Sequence, residues 1–170
     1  AASIKGNPKM IAVAGESAGG NMACNVSIMA RDKGLMLPVH QLLIYPVANN
    51  DMNSASYQKY ATALPLSKPL IEWMVKNYLP NTAAAADPRI ALVKANLKGL
   101  PTTTIIAAEI DVLQTEGKLL ADKLKEAGVA VDYKLYEGVT HEFYGMATVV
   151  PDAKDAQAFA AAKLKSAFNK

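Results

Sequence analysis

The chain is predicted to fold as an α/β domain, a mostly parallel sheet with flanking helices. Three observations predict this. Short apolar runs of strand length recur at Met10–Ala14, Gln41–Tyr45 and Thr102–Ala108. Stretches with helical spacing of apolar residues follow them, from Ser17 to about Lys33, from Glu116 to Ala127 and from Ala153 to Phe168. Strands joined through helices run parallel, with right-handed crossovers. A length of 170 residues with 51% hydrophobic side chains suffices for one domain with a sizeable core.

Each element has its own signal. Met10–Ala14 is an unbroken apolar run of the kind buried on both faces. The helix after it places Ala18, Met22, Val26 and Met29 on one side and is stopped by Asp32-Lys33-Gly34. Gln41–Tyr45 is a second buried strand, ended by Pro46, and the β-branched Thr102–Ala108 run is central in character. The Glu116–Ala127 helix turns Leu120, Leu124 and Ala127 inward and stops at Gly128. Val129–Tyr136 alternates, with Val129, Val131, Tyr133 and Leu135 on one face, as a half-exposed edge strand does. The closing helix is expected to bury Ala156, Ala160, Leu164 and Phe168. Residues 49–88 interrupt the alternation. They hold Tyr57, Tyr60, Trp73 and Tyr78, with a helix over about 69–78 on which Leu70, Trp73, Met74 and Tyr78 share a face. Such a stripe is usually core packing.

Composition excludes several function classes. The net charge of +3 is small for this length, and the positive residues are scattered, so no basic patch points to nucleic acid. Lys163 and Lys165 read as a solvated helix face. Cys24 is the only cysteine, which excludes an internal disulfide, and its place in the first helix suits a small buried side chain. No apolar run approaches the ~20 residues of a membrane span. No signal-peptide pattern is present, and the compartment is not legible.

The chemistry concentrates at Gly15-Glu16-Ser17-Ala18-Gly19-Gly20. A serine in Gly-x-Ser-x-Gly between a strand and a helix has its hydroxyl exposed on a sharp turn at the top of a sheet. The glycines remove side chains that would collide in so tight a turn. A helix-capping serine gives the same local pattern. The strand before and helix after it favour the nucleophile. The N–H of Ala18, at the helix start, points toward an oxyanion formed on an acyl group attacked by Ser17.

A nucleophilic serine needs a base, and the chain has only two histidines. His40 opens the second strand and reads as a solvated or satisfied ring. His141 lies in a loop between Gly138 and Gly145, after the last strand, and is the preferred general base. The base needs an orienting carboxylate. Asp111 ends the third strand, at the edge where Ser17 also emerges. Glu109 and Glu116 compete for the role, and Glu116 also reads as a first-turn acid favoured by the helix dipole. The chain order is then serine, acid, histidine.

With these motifs the chain resembles the C-terminal part of hormone-sensitive-lipase-type esterases, the family IV carboxylesterases. Gly15-Glu16-Ser17-Ala18-Gly19-Gly20 is similar to that family's Gly-Asp-Ser-Ala-Gly-Gly, and Ala108-Glu109-Ile110-Asp111-Val112-Leu113-Gln114-Thr115-Glu116-Gly117 to its acid-bearing segment. His141-Glu142-Phe143 stands where the family has His-Gly-Phe, and Asp87-Pro88-Arg89 also resembles a family element. The likeness covers nearly the whole chain. Glu142 is the departure beside the base, and a carboxylate there would favour the imidazolium if the side chains approach. The family's upstream His-Gly-Gly-Gly loop, source of most oxyanion donors, does not occur in this sequence.

The resemblance implies an α/β-hydrolase-type sheet, truncated on the N-terminal side, with residues 49–88 as the family's cap insertion above Ser17. It implies a carboxylesterase acting on short to medium acyl esters through Ser17, His141 and Asp111, with Ala18 in the oxyanion hole. It implies no metal and no organic cofactor, and a small ester as the partner. A catalytically silent hydrolase fragment and an apolar-ligand binding module without chemistry are the alternative readings. The Met10–Ala14 strand is expected to present an unpaired edge that invites pairing with another copy.

Overall fold

A computed structural model describes residue 3 and residues 6–169. Four strands, β1 (Ala12–Glu16), β2 (His40–Ile44), β3 (Thr103–Ile110) and β4 (Val131–Thr140), form one sheet in that spatial order. Every neighbouring pair is parallel. Among the described residues five α-helices accompany them: α1 (Ala18–Asp32), α2 (Ala55–Lys59), α3 (Lys68–Tyr78), α4 (Gln114–Glu126) and α5 (Pro151–Phe168). The parallel α/β sheet is therefore as expected.

The layers follow from strand alternation. Leu43 and Ile105 pack with Ala23 and Cys24 of α1 and with Leu120, Ala121 and Leu124 of α4. Leu42, Ile44, Ile106 and Ala108 point the other way, onto Ala153, Ala156 and Ala160 of α5. Successive side chains alternate between the two faces, so β2 and β3 are covered on both. All five β2 residues are buried. Burying one leucine of this kind stabilises the fold by about 1.5–3 kcal/mol.

Three expectations need correction. The first strand runs Ala12–Glu16 and is only partly buried, with Ile11 48% exposed just before it. It is an outer strand with α1 on one side, so its apolar composition did not translate into burial on both faces. Helix α1 does not bury Met22, Val26 and Met29, which are about half exposed or more. Its buried residues are Gly20, Asn21, Ala23, Cys24 and Ser27, small side chains that let the helix lie close to the sheet. In α5 the inward residue near the end is Ala167, while Phe168 is exposed.

The insertion between β2 and β3 also departs from a core reading. Helix α3 buries Ile71, yet Trp73, Met74 and Tyr78 are exposed. Ser67 caps it by accepting from the Leu70 N–H. The insertion is anchored by Tyr57, Leu66 and Ile71 against Val112 and Leu113, just past the end of β3. Among the described residues, no helix is long and apolar enough to cross a membrane.

Candidate active site

The C-terminal ends of β1 and β3 and the loop after β4 meet at one corner. Ser17 sits between β1 and α1 with φ 55° and ψ −122°. A non-glycine residue at positive φ is strained and persists only where its surroundings over-determine it. Here they do. The Ser17 N–H donates to the Ile44 carbonyl at 2.9 Å, and the Ser17 carbonyl accepts from the Val47 N–H at 3.2 Å. The turn is tight enough to demand glycine at position 15: a Cβ there would lie 2.1 Å from the Gly19 carbonyl oxygen. Ala18 begins α1, so its N–H belongs to the first turn, where backbone donors have no intrahelical acceptor.

His141 is held between the other two residues. Its Nδ1 is 2.7 Å from Asp111 Oδ2 and its Nε2 is 3.0 Å from Ser17 Oγ. With the proton assigned to Nδ1, the ring donates to Asp111 and accepts from the serine hydroxyl. Asp111 is fully buried just past β3, and its Oδ1 accepts from the Leu113 N–H at 2.9 Å. The two oxygens are thus divided between orienting the imidazole and shaping the acid's own turn. The Tyr45 ring lies against the imidazole, centroids 4.4 Å apart, and its hydroxyl donates to Glu16 at 2.8 Å. Burial and the nearby carboxylate push the Tyr45 hydroxyl well above its ordinary pKa, so it stays a neutral donor.

The other candidates have other partners. His40 is buried, with its ring nitrogens 2.8 and 3.0 Å from the Thr102 and Thr104 hydroxyls. It is a satisfied core ring. Glu109 accepts from the Gly138 N–H and the Tyr60 hydroxyl, and neither oxygen serves His141. Glu116 is buried and accepts from the N–H groups of Ala48 and Asn49. Burial in a site that also feels Asp111 pushes its carboxyl up to about 8. Cys24 is buried, and desolvation pushes its thiol up to about 12, which suits an inert packing residue. Glu142 adopts φ 69°, and its Oε1 reaches 3.7 Å from His141 Nε2 with the carboxylate about half exposed. The two side chains therefore lie within ion-pairing distance, at the ring nitrogen that also faces Ser17.

Residues 1–145 match a family described as the alpha/beta hydrolase fold. The chain belongs to the α/β-hydrolase family. Curated relatives of this α/β-hydrolase include the carboxylesterase NlhH of Mycobacterium tuberculosis, 35% identical over 99% of this chain and 54% of NlhH. An ethyl acetate hydrolase of Pseudomonas putida is 31% identical over 85% of the chain and 46% of that protein. Among solved structures, the thermostable carboxylesterase EstE1 from a metagenomic library superposes with a TM-score of 0.93 at 36% identity, covering 98% of this chain and 57% of its own. The esterase of the archaeon Pyrobaculum calidifontis gives 0.88 at 36% identity, covering 92% and 52%. The chain spans about half the length of these relatives. The hormone-sensitive-lipase-type resemblance read from the motifs agrees with them.

Three contacts at this corner escape a motif search. Asn21 donates to the carbonyls of Val47 and Ile90 at 3.0 Å each, tying α1 to two loops. Tyr45 packs on the imidazole at a φ of 33°. Glu116 bonds the segment after β2. The available signal was context: an asparagine on the buried face of a helix, and a tyrosine directly before Pro46.

Proposed function

We propose that this chain carries the acyl-transfer centre of a serine carboxylesterase, with Ser17 as nucleophile, His141 as general base and acid, and Asp111 as its orienting partner. The observation that carries this reading is the run of two hydrogen bonds, Asp111 to His141 to Ser17, set on a strained strand-to-helix turn. In acylation His141 Nε2 takes the proton from Ser17 Oγ as the oxygen attacks the ester carbonyl carbon. Asp111 keeps the imidazole tautomer fixed and stabilises the imidazolium. The Ala18 N–H donates to the oxyanion. The tetrahedral adduct collapses as His141 gives its proton to the departing alkoxide, and the acyl group stays on Ser17. Water then attacks the acyl-enzyme by the same proton route and releases the acid.

Short to medium acyl esters are the proposed substrates, and the similarity to a protein named ethyl acetate hydrolase supports the short end. Residues 49–88 are proposed as a cap over this site. The exposed Trp73, Met74 and Tyr78 support that role better than a core role. Pairing of copies through the β1 edge stays a proposal, supported by the outer position of β1 in the described sheet. The similarity to named esterases supports acyl transfer over a ligand-binding module or a silent fragment.

The test is labelling of the purified chain with a fluorophosphonate, read by intact mass, beside Ser17→Ala. One adduct per chain, absent from the variant, is the expected result. A folded wild-type chain that takes up no adduct would overturn the reading.

A further inference from the structure

The Glu116 carboxyl is the one buried acid at this corner that the acyl-transfer reading leaves without a task. It lies in the first turn of α4, five residues after Asp111. Its Oε1 accepts from two consecutive backbone N–H groups, Ala48 at 2.7 Å and Asn49 at 3.2 Å. Its Oε2 is buried and has no hydrogen-bond partner. The two N–H groups belong to a strap, residues 46–49, that runs from the end of β2 across the first turn of α1.

That strap touches the nucleophile directly. Its Val47 N–H donates to the Ser17 carbonyl, and its Val47 carbonyl accepts from Asn21 of α1. Pro46 fills the space beside Gly20, where a Cβ would come within 2.9 Å of the proline Cβ. Ser17 is at a strained φ and needs such contacts to stay there. The strap therefore fixes the nucleophile from above, and Glu116 fixes the strap to the segment that carries Asp111.

We propose that Glu116 is a positioning residue, whose carboxyl joins the Ser17 strap to the Asp111 segment and so keeps the nucleophile and the acid at their distances from His141. The proposal rests on the acyl-transfer reading above. A neutral group fits the surroundings. The charged and titratable groups that face Glu116 are Asp111 after β3, Asp51 after the strap and Tyr57 of α2. The first two are acids, so an ionised Glu116 would add an uncompensated charge beside Asp111. The α4 dipole and the two N–H donors favour the anion, but desolvation outweighs them and holds the proton on across the neutral range. Burial of an unpaired charge is the costlier alternative.

The experiment compares fluorophosphonate labelling rates of the chain with those of Glu116→Gln, Glu116→Leu and Glu116→Asp, with melting followed for each. Gln keeps an acceptor for the strap and carries no charge. Leu fills the space without an acceptor. Asp keeps the acid but is one methylene too short to reach both donors. The expected result is wild-type labelling in Glu116→Gln and labelling slowed about tenfold or more in the other two, since small misplacements of reacting groups cost up to about a hundredfold. The His141 Nδ1 proton resonance, read by NMR well below melting, should stay put in Glu116→Gln and move in Glu116→Asp. A residue needed only for stability would change the melts and leave that resonance alone. Wild-type labelling in Glu116→Asp with an unmoved resonance would overturn the proposal. So would labelling in Glu116→Gln as slow as in Glu116→Leu, which would make the charge the active feature. If Glu116→Leu does not fold, the Gln and Asp pair decides. A wild-type chain that never labels defeats the acyl-transfer reading instead, and the resonance then still reports whether Glu116 positions the ring.

Discussion

The corner that holds Ser17, Asp111 and His141 and the inserted segment around α3 are both rich in aromatic and apolar side chains, yet they are built differently. At the corner the side chains are buried and hydrogen-bonded to one another and to backbone. Tyr45, Asp111, Glu116 and His141 are all buried, and backbone bonds from β2 and the strap reach into the turn. In the insertion a small cluster of Tyr57, Leu66 and Ile71 makes the anchor, and Trp73, Met74 and Tyr78 face outward. The difference teaches which part is rigid. The positions of Ser17, Asp111 and His141 are set by strand ends and loops locked to them, while the segment around α3 is held by one small buried cluster.

Breaking the corner should have the largest effect. Asp111→Asn leaves the shape but disfavours the working tautomer, and is expected to slow fluorophosphonate labelling on the order of a thousandfold. A loss below tenfold would mean the imidazole is oriented by something else. Gly15→Ala should come next. Its Cβ meets backbone at 2.1 Å, so something must shift, and an unfolding free energy lower by about 3 kcal/mol is expected in urea melts. A near-neutral result would show the turn to be looser than described.

The buried acid sharpens the comparison through pH. Glu116 binds its proton up to about pH 8 in the folded chain, against an ordinary value of 4.5. Between these values the folded state holds more protons than the unfolded one, so stability falls as pH rises. The stabilisation is full below about 4.5 and is lost as pH rises through about 8, on the order of 5 kcal/mol. Denaturant melts across that range should show the decline, and Glu116→Gln should flatten it. An unchanged slope in the variant would place the linkage on another group.

The smallest effect is expected in the insertion. Trp73→Ala should alter stability by no more than about 0.5 kcal/mol, because the residue is 62% exposed. A large drop in melting temperature would make the α3 stripe a core element and erase the contrast.

These particulars also show what the sequence disclosed. Strands β2 and β3 were legible because they are buried on both faces, and burial on both faces demands an unbroken apolar run. Ser17, Asp111 and His141 could be singled out because motif, order and strand-end position agreed, and in the structure His141 lies within hydrogen-bond distance of the other two. The burial of β1 was misread because an outer strand's exposure depends on its neighbours and not on its own residues. The face of α1 was misread because hydrophobicity favoured Met22, Val26 and Met29, whereas close approach to the sheet selected Gly20, Ala23, Cys24 and Ser27. The role of Glu116 was hidden because its partners are backbone groups, which no pattern of side chains announces.

Cys24 supplies a clock. It lies on α1, fully buried against the sheet, with a thiol too weakly acidic to react while it stays there. Alkylation in mild conditions therefore waits for α1 to lift from β2. The modification rate of this one sulfur counts how often the helix that follows Ser17 lets go of its support, with no substrate present.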